Sequence, residues 1–128
     1  MIEPNYVMKA LVTRVIDGDT VVVDISPAFN MVLKDRKLRL HGINTAELNA
    51  RDAEGRERAV AARYFVAQAV EEKPVLIKII RIKDDSELID SFGRYLAVIY
   101  YQRDGKQICL NDELLSNGLA VPWVRNAK

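Results

Sequence analysis

A single cysteine, a single histidine and no long apolar run set the first limits on this 128-residue chain. With only Cys109, in the apolar setting Gln107-Ile108-Cys109-Leu110, no disulfide can form within it, and a plain buried thiol is expected. The opening residues Met1-Ile2-Glu3-Pro4 lack the basic and apolar regions of a secretory signal, and no apolar stretch reaches the length of a membrane span. A cytoplasmic chain without membrane contact is the expectation. Charge of one sign is not in excess either. Residues 1–64 hold ten basic and nine acidic side chains, residues 65–128 hold nine of each, and the net charge is +1. Without a basic arm or tail, any nucleic-acid contact has to be local, through a few placed cations. No repeat, linker or low-complexity segment divides the chain. A composition of 49% hydrophobic and 29% charged residues suits one domain over residues 1–128 with a modest core.

What is present is a succession of β-branched runs. Met8 to Val15 and Thr20 to Ile25 flank Ile16-Asp17-Gly18-Asp19, and Asp-Gly between such runs signals a hairpin. A looser stretch, Ser26 to Arg36, precedes a third strand from Lys37 to Ile43. On a period of two, Leu38 and Leu40 share one face of it while Arg39 and His41 share the other. Asn44 to Arg51 reads as a loop into a long helix, Asp52 to Val70. Asn49 is a candidate cap with Asp52 three positions on, and Ala59, Ala62, Val66 and Val70 form a core-facing stripe. A fourth strand, Pro74 to Ile82, a polar loop, Lys83 to Ser91, and a fifth strand, Phe92 to Tyr101, follow. A turn at Arg103-Asp104-Gly105-Lys106 leads to a short segment ending at Leu110. Asn111 to Gly118 reads as a short helix with an Asn cap, acids in its first turn and Gly past its end. The expected class is mainly β with α (α+β): a five-stranded Greek-key barrel of the OB type with one long and one short helix.

Four runs carry a more specific message: Val15-Ile16-Asp17-Gly18-Asp19-Thr20, Leu38 through Glu47, Phe92-Gly93-Arg94-Tyr95-Leu96-Ala97, and Glu113 through Ala120. In this order and on these elements they resemble the staphylococcal (micrococcal) nuclease-like family over about residues 8–123. The resemblance implies an OB barrel and a calcium-dependent hydrolase of DNA and RNA. Such an enzyme cuts the 5′ P–O bond to leave 3′-phosphates; a DNA or RNA substrate taken by preference as single strands, and a monomeric state, are further expectations for this chain.

The residue types suit that chemistry. Arg39 and Arg94 bear permanently charged planar forks able to engage two phosphate oxygens at once, and the resemblance makes them the clamp on the scissile phosphate. Glu47 would act as general base toward the attacking water, or position it. Asp19 would anchor the calcium ion, with Asn44 and Thr45 supplying further oxygens. Seen alone, each has a plainer reading: a hairpin residue for Asp19, a solvated strand arginine for Arg39 or Arg94, a loop carboxylate for Glu47. His41 reads as a bystander. Trp123 reads as barrel-mouth cover or as an aromatic wall for a base. The Lys34 to Lys37 cluster reads as a solvated turn or a phosphate contact.

The chain departs from the family pattern at Asn44, most often aspartate, and at Ala46, usually proline. Ser91 and Phe92 replace a common lysine and tyrosine. Asn44 brings an amide oxygen without charge, so weaker metal binding is expected. The competing reading is a non-catalytic OB module that binds nucleic acid or a protein. The retention of both arginines and the glutamate argues against it.

Overall fold

The structure, a computed structural model, describes residues 2, 5–81 and 87–123. Alternating burial builds the barrel. In β1 (Val7–Asp17) Ala10, Val12 and Val15 point inward, and in β2 (Thr20–Ser26) Val21, Val23 and Ile25 do. In β3 (Leu33–Leu40) Leu38 and Leu40 are fully buried. β4 (Ile43–Thr45) and α1 (Ala53–Val70) come next, followed by β5 (Pro74–Ile79), β6 (Tyr95–Arg103) and β7 (Lys106–Cys109). The chain continues through α2 (Leu110–Ser116) to β8 (Ala120–Pro122). The main sheet runs β3-β2-β1-β5-β6-β7, and a parallel pairing of Leu38–Leu40 with Tyr95–Ala97 joins β3 to β6. That pairing closes β1, β2, β3, β5 and β6 into the five-stranded OB-type barrel expected from the sequence.

Several local expectations shift. The third strand begins earlier, at Leu33, and stops at Leu40. Gly42, at φ +80°, then turns the chain into the separate strand β4, which pairs with β8. The fourth and fifth strands are Pro74–Ile79 and Tyr95–Arg103. Ile82 and the polar loop's first four residues, 83–86, lie outside the described residues.

Asp52, not Asn49, caps α1. Its carboxylate accepts from Gly55 N at 3.1 Å, and any Cβ at Gly55 would come within 2.6 Å of that carboxylate. The α1 stripe is buried as expected, at Ala59, Ala62, Val66 and Val70. Asn111 does not cap α2; the N-cap position is Cys109, which makes no side-chain cap hydrogen bond. Instead Asn111 is buried and ties the backbone of β6 to that of the turn at His41. It accepts from Ile99 N at 3.1 Å and donates to His41 O at 2.9 Å and Ala97 O at 3.2 Å. Satisfying those groups outweighs a helix cap, because an unpaired buried amide or carbonyl is costly. Cys109 is half-buried, and burial pushes its thiol above the usual range. Among the described residues no helix is long and apolar enough to cross a membrane.

Candidate active site

The β1–β2 turn is where the site begins. Gly18 and Asp19 connect the strands, and the chain is pressed so closely on α1 that a Cβ at Gly18 would lie 2.6 Å from Ala62 Cβ. The same Cβ would meet the Thr45 side chain at 3.1 Å. Glycine therefore lets the turn seat against α1 and β4, and this seating fixes the next residue. Asp19 is 8% exposed; its Oδ2 accepts from Thr45 N at 3.3 Å and its Oδ1 from the Thr20 hydroxyl at 3.1 Å.

Arg39 stands on the outward face of β3, opposite Thr20 of β2. Its Nη1 lies 3.0 Å from Asp19 Oδ2, an ion contact without hydrogen-bond alignment. Its Nη2 donates to Ile43 O at 3.2 Å and to Asn44 Oδ1 at 3.1 Å. The Trp123 ring, brought over by the β4–β8 pairing, has its centroid 5.5 Å from the guanidinium carbon.

Arg94 lies in the turn just before β6, where Gly93 adopts φ +79°. Asp90 grips it twice, accepting from Arg94 Nε at 2.6 Å and from its backbone N at 2.9 Å. The same carboxylate takes Phe92 N at 2.9 Å. Burial raises the Asp90 pKa, but these hydrogen bonds and the adjacent guanidinium outweigh it and hold the carboxyl below the usual range. Arg94 Nη1 then donates to the Thr20 hydroxyl at 3.0 Å. Arg94, Thr20, Asp19 and Arg39 thus form one continuous polar chain.

These residues line a single cleft of about 500 Å³, together with Asp17, Lys37, Asn44, Thr45, Glu47 and Phe92. All six residues expected at the site are there: Asp19, Arg39, Asn44, Thr45, Glu47 and Arg94. Glu47 is exposed, and among the described residues its carboxylate has no hydrogen bond or ion pair. His41 does not line the cleft, and burial depresses its pKa.

Sequence reasoning missed Asp17, Thr20 and Asp90. Asp17 is the first aspartate of the Asp-Gly-Asp-Thr run, which was a usable signal. Its pKa is raised by burial and then by the negative charges of Asp19 and Glu47, against the lowering effect of Arg94 and Arg63. Asp90 had no signal, since only the fold of the preceding loop turns it onto Arg94.

The oxygens available to a metal ion are the carboxylates of Asp19 and Asp17, the Asn44 amide and Thr45. All are hard donors of the kind calcium takes. The Thr45 hydroxyl oxygen is buried without a hydrogen-bond partner, and Asp17 is crowded by two like charges. Both features suit a cation. Among the described residues no three acidic, histidine or cysteine side chains gather closely enough to hold one alone, so neutral oxygens and water would complete the set.

A closed five-stranded barrel whose mouth gathers two arginines and an open carboxylate places the chain in the OB class. The chain belongs to the family described as Staphylococcal nuclease homologue, whose model matches residues 37–128. It is 30% identical over 118 residues to a thermonuclease of Staphylococcus intermedius, covering 92% of this chain and 58% of that protein. It is 29% identical over 131 residues to the uncharacterized protein MJ1439 of Methanocaldococcus jannaschii, covering 90% and 59%. The chain spans under three fifths of the length of these curated relatives.

Proposed function

We propose that this chain is a calcium-dependent phosphodiesterase that hydrolyses DNA and RNA, breaking the 5′ P–O bond to leave 3′-phosphates. The observation that carries the reading is the convergence of Arg39, Arg94 and the open Glu47 carboxylate on one cleft. The thermonuclease relative supports it.

Hydrolysis of a phosphodiester is limited by the charge that grows on the phosphoryl oxygens. Arg39 and Arg94 meet that charge from two sides of the cleft. Their orientation is set in advance by Asp19, Asn44 and Ile43 O on one side and by Asp90 and Thr20 on the other. Little reorganisation is then left for the moment of reaction. Glu47, exposed to the water that must attack, takes a proton from it as general base, a role worth about 10²- to 10⁴-fold in rate. Asp19, Asp17, Asn44 and Thr45 would hold calcium, which when bound offsets the negative charge of substrate and carboxylates. Single-stranded substrate is preferred, because exposed Phe92 in the cleft lining and Trp123 beside Arg39 offer base-stacking surfaces.

The test is incubation of the purified protein with heat-denatured DNA at millimolar calcium, beside a chelator control and a Glu47→Ala control. Calcium-dependent cleavage lost in Glu47→Ala is expected. Absence of cleavage at high protein concentration, or equal cleavage by the variant, would overturn the proposal in favour of a binding module.

A further inference from the structure

The β2–β3 hairpin extends well beyond the cleft. β3 pairs with β6 only over Leu38–Leu40, so Leu33–Lys37 are held by β2 alone and project past the barrel wall. From Arg39 to Leu33 the strand runs six residues, about 20 Å. At its far end the loop carries Phe29, 92% exposed, with Met31 and Val32 half in solvent beside it. Phe29 and Asn30 both sit at φ near +57°, a conformation seldom adopted by a bulky side chain. An aromatic ring so placed is of no use to the core.

The outward face of this ribbon continues the cleft. Alternation puts Lys37 on the same face as Arg39, and Lys37 reaches the cleft wall. Opposite it comes Val22 of β2, and opposite that Arg14 of β1, so Arg14 and Lys37 flank one cross-strand row. Both cations are exposed, and no acid is opposite either. One step farther out Asp24 is already matched by Lys34 at 3.3 Å, which leaves Asp35 as the exposed acid of the outer ribbon.

We infer that this ribbon face, from Lys37 and Arg14 out to the Phe29 ring, is a track that binds the single-stranded nucleic acid leading away from the scissile phosphate. The inference rests on the proposed nuclease reading and extends it to the substrate's length. Cations placed along a strand face neutralise backbone phosphates, and an exposed ring stacks a base regardless of its identity. The continuity of the row with the phosphate cleft selects a nucleic acid over a membrane surface as occupant.

The experiment uses the full chain carrying Glu47→Gln, so that substrate is not cut, and fluorescein-labelled oligothymidylates of two and of sixteen nucleotides read by anisotropy. Adding Phe29→Ala, which removes no packing, is expected to weaken the sixteen-mer at least about fivefold and leave the dinucleotide unchanged. Adding Arg14→Gln is expected to reduce the slope of log K against log salt for the sixteen-mer by about 0.7. Unchanged sixteen-mer binding in both variants, or equal loss for both lengths, would overturn the track. Loss of binding to phosphatidylserine vesicles in Phe29→Ala with intact sixteen-mer affinity would overturn it too, giving the tip to a membrane. Cleavage by the unmodified chain is measured separately. A chain that cuts DNA but lacks the length effect keeps the nuclease and loses the track, and one with the length effect but no cleavage does the reverse.

Discussion

Arg94 donates to the hydroxyl of Thr20 at 3.0 Å across a sequence separation of 74 residues. Thr20 in turn donates to Asp19, which lies in ion contact with Arg39. The two arginines are therefore not independent. Each is oriented through a shared hydroxyl and carboxylate, so a change at Thr20 or Asp19 reaches both sides of the cleft.

Asp90 is the strongest external hold on Arg94. Asp90→Asn keeps the shape but removes the charge that meets Nε, so the guanidinium gains freedom. Activity on denatured DNA is expected to fall about tenfold or more, short of the roughly 10²- to 10³-fold expected for Arg94→Lys. Steady-state rates of the two variants check the order. The depressed Asp90 pKa also gives a stability term, because the unfolded carboxyl binds its proton more readily. That term is present above the unfolded value of 3.8 and is lost as pH falls below it, so acid unfolding should come at higher pH in Asp90→Asn.

Gly18→Ala drives a Cβ to 2.6 Å from Ala62 Cβ. The expected cost is about 1–3 kcal/mol in urea unfolding, with a loss of activity because Asp19 follows Gly18 directly. Adding Ala62→Gly removes the clashing carbon and should restore part of both. Absence of any rescue would place the strain at Thr45 instead.

The Tyr101 hydroxyl donates to Glu113, whose other oxygen binds Arg103 at 2.8 Å. Burial, followed by that hydrogen bond, pushes the phenol up to about 12. The folded state holds this proton more tightly than the unfolded state does. The stabilisation is thus complete below pH 10 and is lost as pH rises toward 12. Denaturant midpoints measured across that window should fall less steeply in Tyr101→Phe.

Asn44→Asp adds a negative charge among the metal-facing oxygens. Calcium binding followed by calorimetry is expected to tighten about tenfold or more, consistent with the dependence of such sites on ligand charge. No gain would mean that Asn44 serves only as the acceptor for Arg39 Nη2.

Strand and helix assignments came from patterns that are local by nature. The alternation around Leu38, the Asp-Gly hairpin and the Ala59–Val70 stripe each depend on neighbours a few residues away. Boundaries slipped where a distant partner decided them. Leu33–Arg36 look irregular alone but are ordered by pairing with β2, and Asn111 looks like a cap but is claimed by backbone groups of β6 and His41. The six candidate residues that gather in the cleft were legible because the motif runs carry them. Asp90 was not, because its role exists only once the loop folds back on Arg94.

The sequence by itself determined the alternation that makes the barrel strands, the helix stripe, and which side chains are able to bind a phosphate. Tertiary structure decided that they meet. The parallel contact of β3 with β6 brings Arg39 and Arg94 to one cleft, the β4–β8 pair sets Trp123 over Arg39, and Gly18 against Ala62 seats Asp19. The physical reason is that periodicity reports only which face of an element is buried. The partner of that face is chosen by burying apolar surface and pairing backbone groups across the whole chain.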